Sequence, residues 1–265
     1  MTLTLGTGPL ANKPGGVFNF SLEDAPKHRI FFEDYPRRIR AVVGGHTVGD
    51  TARGKLLHET NILPVFYFHE DDLDQSVLEP TTHSTHCPFK GDAAYWSIRA
   101  GDRVVENAVW SYPQPLPDAP SLVGYRALYW DRMDTWLEED EELLGHLRDP
   151  YHRVDVREST RPVRVRGGGG VVAETTRPRL LFETGLPTRY YVPREDIAVD
   201  VLEPSEKRTV CPYKGRAAYE SVRAGDAVLA DVAWHYPEPL PGAAAVAGHV
   251  CFLGEGIETE VGEAT

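Results

Sequence analysis

What this chain lacks narrows the field first. It has only three cysteines, Cys87, Cys211 and Cys251, and no C-x-x-C pair, so no disulfide framework organises it and a reducing compartment fits. No apolar run approaches the ~20 residues that span a bilayer, which argues against a membrane protein. Residues 1–16 show no basic start followed by an apolar core, so no secretory signal is read and a cytoplasmic location is expected. Positive charge is in deficit. The net charge of -12 opposes phosphate backbones and anionic lipids, and nucleic acid is not expected as a partner. A phosphate loop is missing too, because the glycine run 167–170 is not followed by a helix or by Lys-Ser/Thr.

What is present is a repeat. Cys87-Pro-Phe-Lys-Gly91 recurs as Cys211-Pro-Tyr-Lys-Gly215, 124 residues later, and the same offset aligns 26–131 with 150–255 without a gap. Some shared positions are architectural: Gly44-Gly45 with Gly168-Gly169, Gly101-Asp102 with Gly225-Asp226, and Gly124 with Gly248 suit turns between strands. Others are polar or aromatic, including His28-Arg29 with His152-Arg153 and Glu59-Thr60 with Glu183-Thr184.

Within each unit, short β-branched and aromatic runs separated by Gly, Pro and Asp predict strands. Residues 70–73 and 194–197 each suit one helical turn. The expected layout is an N-terminal arm over 1–25, a first unit over 26–131, a connector over 132–149, and a second unit with its tail over 150–265. Residues 134–147, acidic with Trp136, Leu143, Leu144 and Leu147 as apolar positions, predict the single strong helix. It would dock one unit on the other as a pseudo-dimer. The alternative is a solvated acidic linker.

The candidate chemistry centres on Glu59, Cys87 and Lys90, with Glu183, Cys211 and Lys214 as counterparts. A carboxylate inside an apolar strand must face water, pair with a cation or carry a shifted pKa. Lys90 and Arg29 are the expected partners of Glu59, as Lys214 and Arg153 are of Glu183. An ammonium three residues from a thiol favours thiolate, although a small core cysteine beside a solvated lysine reads equally well. His83 and His86 beside Cys87 suit general-base activation or zinc, but four converging ligands are not visible, so no metal is assigned. Their loss in the second unit, to Lys207 and Val210, means that the shared role does not require them. Tyr67, Tyr95, Trp110 and Tyr112, with Tyr191, Tyr219, Trp234 and Tyr236, serve as core or as the aromatic lining of a ligand pocket.

Three strings carry a resemblance: Leu56 to Thr60, His83 to Ser97 and Glu106 to Pro113, matched in the second unit by 181–196 and 209–215. They resemble domain-of-unknown-function family 427, in a tandem two-copy form, which some schemes label a nucleotidyltransferase. The resemblance implies an all-β chain of two small twisted two-sheet, β-tent-like domains, and implies little about chemistry. Glu220 departs from it, standing where the first unit has Trp96, which puts the second site in doubt. The expected function is binding of a small polar molecule, with or without catalysis, in a Glu/Cys/Lys pocket of each unit. An interaction scaffold that mimics a homodimer and a nucleotidyltransferase are the alternatives. No cofactor is assigned.

Overall fold

The computed structural model describes residues 3–224 and 227–263, so the turn expected at Gly225-Asp226 lies outside the described residues. The chain divides into two units, Met1–Asp149 and Pro150–Thr265. In the first, the strands in chain order are β1 (Ile30–Tyr35), β2 (Ile39–Val43), β3 (His46–Thr51), β4 (Gly54–Glu59), β5 (Val65–His69) and β6 (Leu78–Cys87). β7 (Gly91–Ala100), β8 (Arg103–Ser111), β9 (Tyr125–Leu128), β10 (Thr135–Glu138) and β11 (Glu141–Glu142) follow. They form two open antiparallel sheets, ordered β1-β4-β5-β9-β8-β7-β6 and β11-β10-β2-β3.

The second unit repeats the plan. Its strands are β12 (Val154–Glu158), β13 (Val163–Gly167), β14 (Gly170–Thr175), β15 (Arg179–Glu183), β16 (Arg189–Pro193) and β17 (Leu202–Cys211), then β18 (Gly215–Ala224), β19 (Ala227–His235), β20 (His249–Phe252) and β21 (Ile257–Val261). The sheets run β12-β15-β16-β20-β19-β18-β17 and β14-β13-β21. The single helical turns expected near residues 70 and 194 are 3-10 turns, Glu70–Asp72 and Arg194–Asp196. No helix among the described residues is long and apolar enough to cross a membrane.

Strand alternation sorts side chains between two faces of each large sheet. In the first unit, Leu56, Phe66, Phe68, Ile98 and Val109 join Ile39, Ala41 and Val43 of the small sheet in the core between the sheets. Their strand neighbours Leu57, Tyr67 and Tyr95 turn the other way and form a second cluster with Ala93, Tyr112 and Leu122. This outer face carries the candidate site.

The helix expected over 134–147 is absent. Residues 135–138 instead pair with β2 as a strand, and Glu139 at φ 51° turns the chain in a left-handed conformation that a helix does not allow. Trp136 anchors the strand: its ring stacks on Trp130 at 4.7 Å, and its Nε1 donates to the Trp130 carbonyl at 3.0 Å. The acidic run is answered by basic residues around β2, with Arg37 on Glu138 and Arg40 on Asp140 at 3.0 Å. What read as a solvated helix face is the charged rim of a sheet. The segment therefore belongs to the first unit and is not a connector.

The N-terminal arm is not extended. Leu10 N donates to Leu3 O at 3.0 Å and Gly15 N to Thr7 O at 2.9 Å, folding it back on itself. It docks on the turn after β4: Asn61 N donates to Thr4 O at 3.0 Å, and Thr60 Oγ1 to Leu10 O at 2.9 Å. Thr4 and Ala11 are fully buried.

Candidate functional site

The hairpin between β6 and β7 builds the site. Cys87 pairs with Gly91 across a three-residue loop, and Lys90 N closes the turn on Cys87 O at 3.3 Å. Pro88 presets its own φ for the turn. Gly91 takes φ 103°, and a Cβ there would stand 3.1 Å from Gln114 O, so both the backbone and the space require glycine. The segment after Tyr112 docks on this turn through Leu116 N to Lys90 O at 3.1 Å. The loop is thus held on both sides, and Lys90 points inward, 7% exposed.

Inside, Lys90 Nζ donates to Oε2 of Glu59, which ends β4 and is 3% exposed. The other carboxylate oxygen, Oε1, lies 3.0 Å from Nε2 of His28. The His28 ring stacks on Phe89 at 3.9 Å, nearly parallel, and both residues line a cleft of about 610 Å³. Glu59 and Lys90 do not line it. His28 is the residue that both touches the ion pair and faces the cleft.

The second unit builds the same constellation. Lys214 Nζ donates to Glu183 Oε2, His152 Nε2 lies 3.0 Å from Glu183 Oε1, and the His152 ring stacks on Tyr213 at 3.9 Å. Burial pushes the Glu183 carboxyl up, but hydrogen bonds from His152 and Lys214 and the Lys214 charge outweigh it and hold the pKa at about 2. Glu183 is therefore a fixed anion at neutral pH, suited to hold an imidazole and an ammonium rather than to donate a proton.

Arg29 and Arg153, expected beside the glutamates, are not their partners. His28 precedes β1, and the register of β1 on β4 brings it, rather than Arg29, to Glu59. Arg29 instead donates to Ala11 O of the arm at 3.0 Å, and Arg153 pairs with Asp155 at 2.6 Å.

Cys87 packs in the outer cluster beside Tyr112. Burial drives the Tyr112 hydroxyl well above its usual range, and Cys87 and Glu59 push the same way; the Lys90 ammonium lies 5.3 Å from the ring centre. Tyr236 is likewise raised by burial, with Cys211 and Glu183 adding to it. Tyr67 and Tyr191 are 1% exposed, also raised by burial, and sit against Trp110 and Trp234: the ring centres of Tyr67 and Trp110 are 6.4 Å apart, and Trp234 Nε1 donates to Tyr191 Oη at 3.3 Å. Tyr95 Oη shares a hydrogen bond with Thr85 at 2.8 Å, and Tyr219 with Thr209 at 3.2 Å. His83 stands over Tyr95, centroids 4.5 Å apart, on the thiol's side of β6. His86 lies on the opposite face, paired with Asp92 at 2.6 Å, so the two histidines and Cys87 do not converge.

The departures of the second unit fall away from the ion pair. Lys207 sets its ammonium 4.6 Å over Tyr219, where His83 covers Tyr95. Trp96 packs on the inter-sheet core, while its neighbour Tyr95 joins the outer cluster. In the first unit the Arg126 guanidinium lies 4.1 Å over Trp96 and bonds Glu70 at 3.2 Å. In the second, Arg194 occupies the position of Glu70, Val250 that of Arg126, and Arg194 grips Glu220 with two bonds of 2.9 Å. Three substitutions thus compensate one another, and Glu220 says nothing against the second Glu-Lys-His group.

His28 and His152, with Phe89 and Tyr213, are the site members that the motif reading did not single out. The available signal was their recurrence at the repeat offset and their position two residues before Ile30 and Val154, which pair with Glu59 and Glu183.

Two open sheets per copy, with a buried Glu-Lys-His group on the outer face of the larger one, define a tandem of one β-domain class. The chain belongs to the family described as a domain of unknown function, DUF427, whose model matches residues 31–139 and again 155–263. The first match runs through β10 and so includes the strand that stands where a helix was expected. No curated protein matches the chain.

Proposed function

We propose that each copy is a small-molecule-binding module in which a histidine, His28 or His152, held by the buried Glu-Lys pair, meets the ligand. One observation carries this reading: the same three side chains make the same contacts in both copies, although residues around them have changed. A plain structural ion pair needs no third member. The third member here is an imidazole, and in the first copy it faces a cleft of about 610 Å³, a volume usual for small-ligand sites. A carboxylate-held imidazole also suits proton transfer, so the reading extends to general acid–base catalysis. Lys90, engaged by Glu59, acts as a fixed charge and not as an amine nucleophile.

The reading is tested by thermal-shift screening of a small-molecule library on the wild type and on His28→Ala and His152→Ala. Compounds that stabilise the wild type should lose their effect in one variant or both. Hits that stabilise both variants as well as the wild type would overturn it.

A further inference from the structure

Three consecutive basic residues, Lys27, His28 and Arg29, line the first-copy cleft, against one acid, Asp118. This basic surplus lies in a chain whose net charge is -12. The other lining residues are apolar, Phe89 and Leu116 among them. Phe89 keeps 45% of its surface exposed although one face of its ring is covered by His28. The cleft thus joins positive charge to an exposed aromatic wall.

Arg29 is half-buried, and no carboxylate pairs with it among the described residues. Its Nη1 donates to Ala11 O at 3.0 Å, while Nε and Nη2 meet no acceptor among the described residues. Those two nitrogens form the edge that grips a carboxylate side-on. Elsewhere in the first unit that edge is in use: Arg38 holds Asp50, Arg53 holds Asp72 and Arg99 holds Glu79, each through Nε and Nη2. In the second copy the counterpart Arg153 pairs through Nε with Asp155 at 2.6 Å. The first copy has Phe31 where the second has Asp155, and the second has Tyr151 where the first has Lys27. One copy supplies a carboxylate to its guanidinium; the other does not. A half-buried cation with no counter-charge attracts an anion more strongly than one in open water.

We infer that this cleft takes a small organic acid with a flat apolar body, an aromatic carboxylate. Its carboxylate is gripped by Arg29, with the Lys27 charge beside it, and its ring packs against Phe89 and Leu116. The inference rests on the reading of this cleft as the ligand site and adds the charge and class of the ligand. It assigns the acid to the first copy alone.

The experiment is an NMR titration of the full chain with benzoate, phenyl phosphate, benzyl alcohol and benzylamine, following His28, Arg29 and Phe89. Benzoate should give saturable shifts at all three, about tenfold tighter than benzyl alcohol or benzylamine, and should weaken as salt rises. His152, Arg153 and Tyr213 should stay unshifted, because Asp155 already holds Arg153. Arg29→Gln should weaken benzoate about tenfold and leave benzyl alcohol unchanged. Phe31→Asp keeps Arg29 and gives it the carboxylate that Arg153 has, so it should weaken benzoate to a similar degree. Benzyl alcohol or benzylamine binding as tightly as benzoate, or benzoate unaffected by both variants, would overturn the acid and leave the cleft reading standing. Phenyl phosphate binding more tightly than benzoate would overturn the carboxylate in favour of a phosphate ester. No response at these residues to any probe would overturn both the ligand class and the cleft.

Discussion

His28 Nε2 lies 3.0 Å from Glu59 Oε1, and His152 Nε2 lies the same distance from Glu183 Oε1. Each glutamate is shared between an imidazole at one oxygen and a lysine at the other, and all four carboxylate and lysine side chains are at least nine-tenths or nearly so buried. Such a group is rigid because moving any member strips a buried charge of its partner.

Removing two members should therefore cost less than the sum of removing each alone. Lys90→Met and Glu59→Gln are each expected to destabilise the first unit by about 3–5 kcal/mol, because a buried group is left uncompensated. The double variant should cost less than the sum of the single ones. Denaturant unfolding midpoints for the four proteins close the cycle.

The second unit should lose stability in acid through Glu183. Its folded pKa of about 2 lies below the ordinary 4.5, so its contribution is full above pH 4.5 and is lost as pH falls toward 2. The contribution is at most about 3 kcal/mol. Glu183→Gln should lower stability at pH 7 and flatten the dependence between pH 5 and 2, read as unfolding midpoints at each pH.

The three thiols should react in order. Burial pushes Cys251 up to about 12 and leaves it 1% exposed, while Cys87 and Cys211 are half-buried. A chromogenic disulfide reagent should titrate Cys87 and Cys211 in the native protein and reach Cys251 only on unfolding. Mass mapping identifies the labelled residues.

The arm should protect the turn that follows Glu59. Deleting residues 1–16 removes the Thr4 and Leu10 carbonyls that Asn61 N and Thr60 Oγ1 donate to, and frees Arg29 from Ala11. Hydrogen exchange at Asn61 should then speed up markedly, with no change at the equivalent Gly185. Unchanged protection of Asn61 would show that the arm only rests there.

Much of this architecture is legible from the chain alone. The offset of 124 residues carries β6 and β7 onto β17 and β18 residue for residue, because both hairpins turn on the same Cys-Pro-aromatic-Lys-Gly string. The pairing of Glu59 with Lys90 was also accessible, since a carboxylate at the end of an apolar strand needs a cation. The strand over 135–138 was not. Its acidic neighbours mimic a solvated helix, and their true partners, Arg37 to Arg40, are about a hundred positions away in sequence. His28 was hidden for a related reason: it precedes its strand, and only the register of β1 on β4 brings it to Glu59. Non-local pairing decided both cases.

The account stands on the imidazoles being held by the glutamates through Nε2. Long-range nitrogen–proton NMR correlation on uniformly labelled protein at neutral pH reads the tautomer of each ring directly. The expected spectrum shows His28 and His152 both with a hydrogen on Nε2, held by Glu59 and Glu183. A hydrogen on Nδ1 of His28, or an averaged pair of nitrogen shifts typical of a solvated ring, would contradict it.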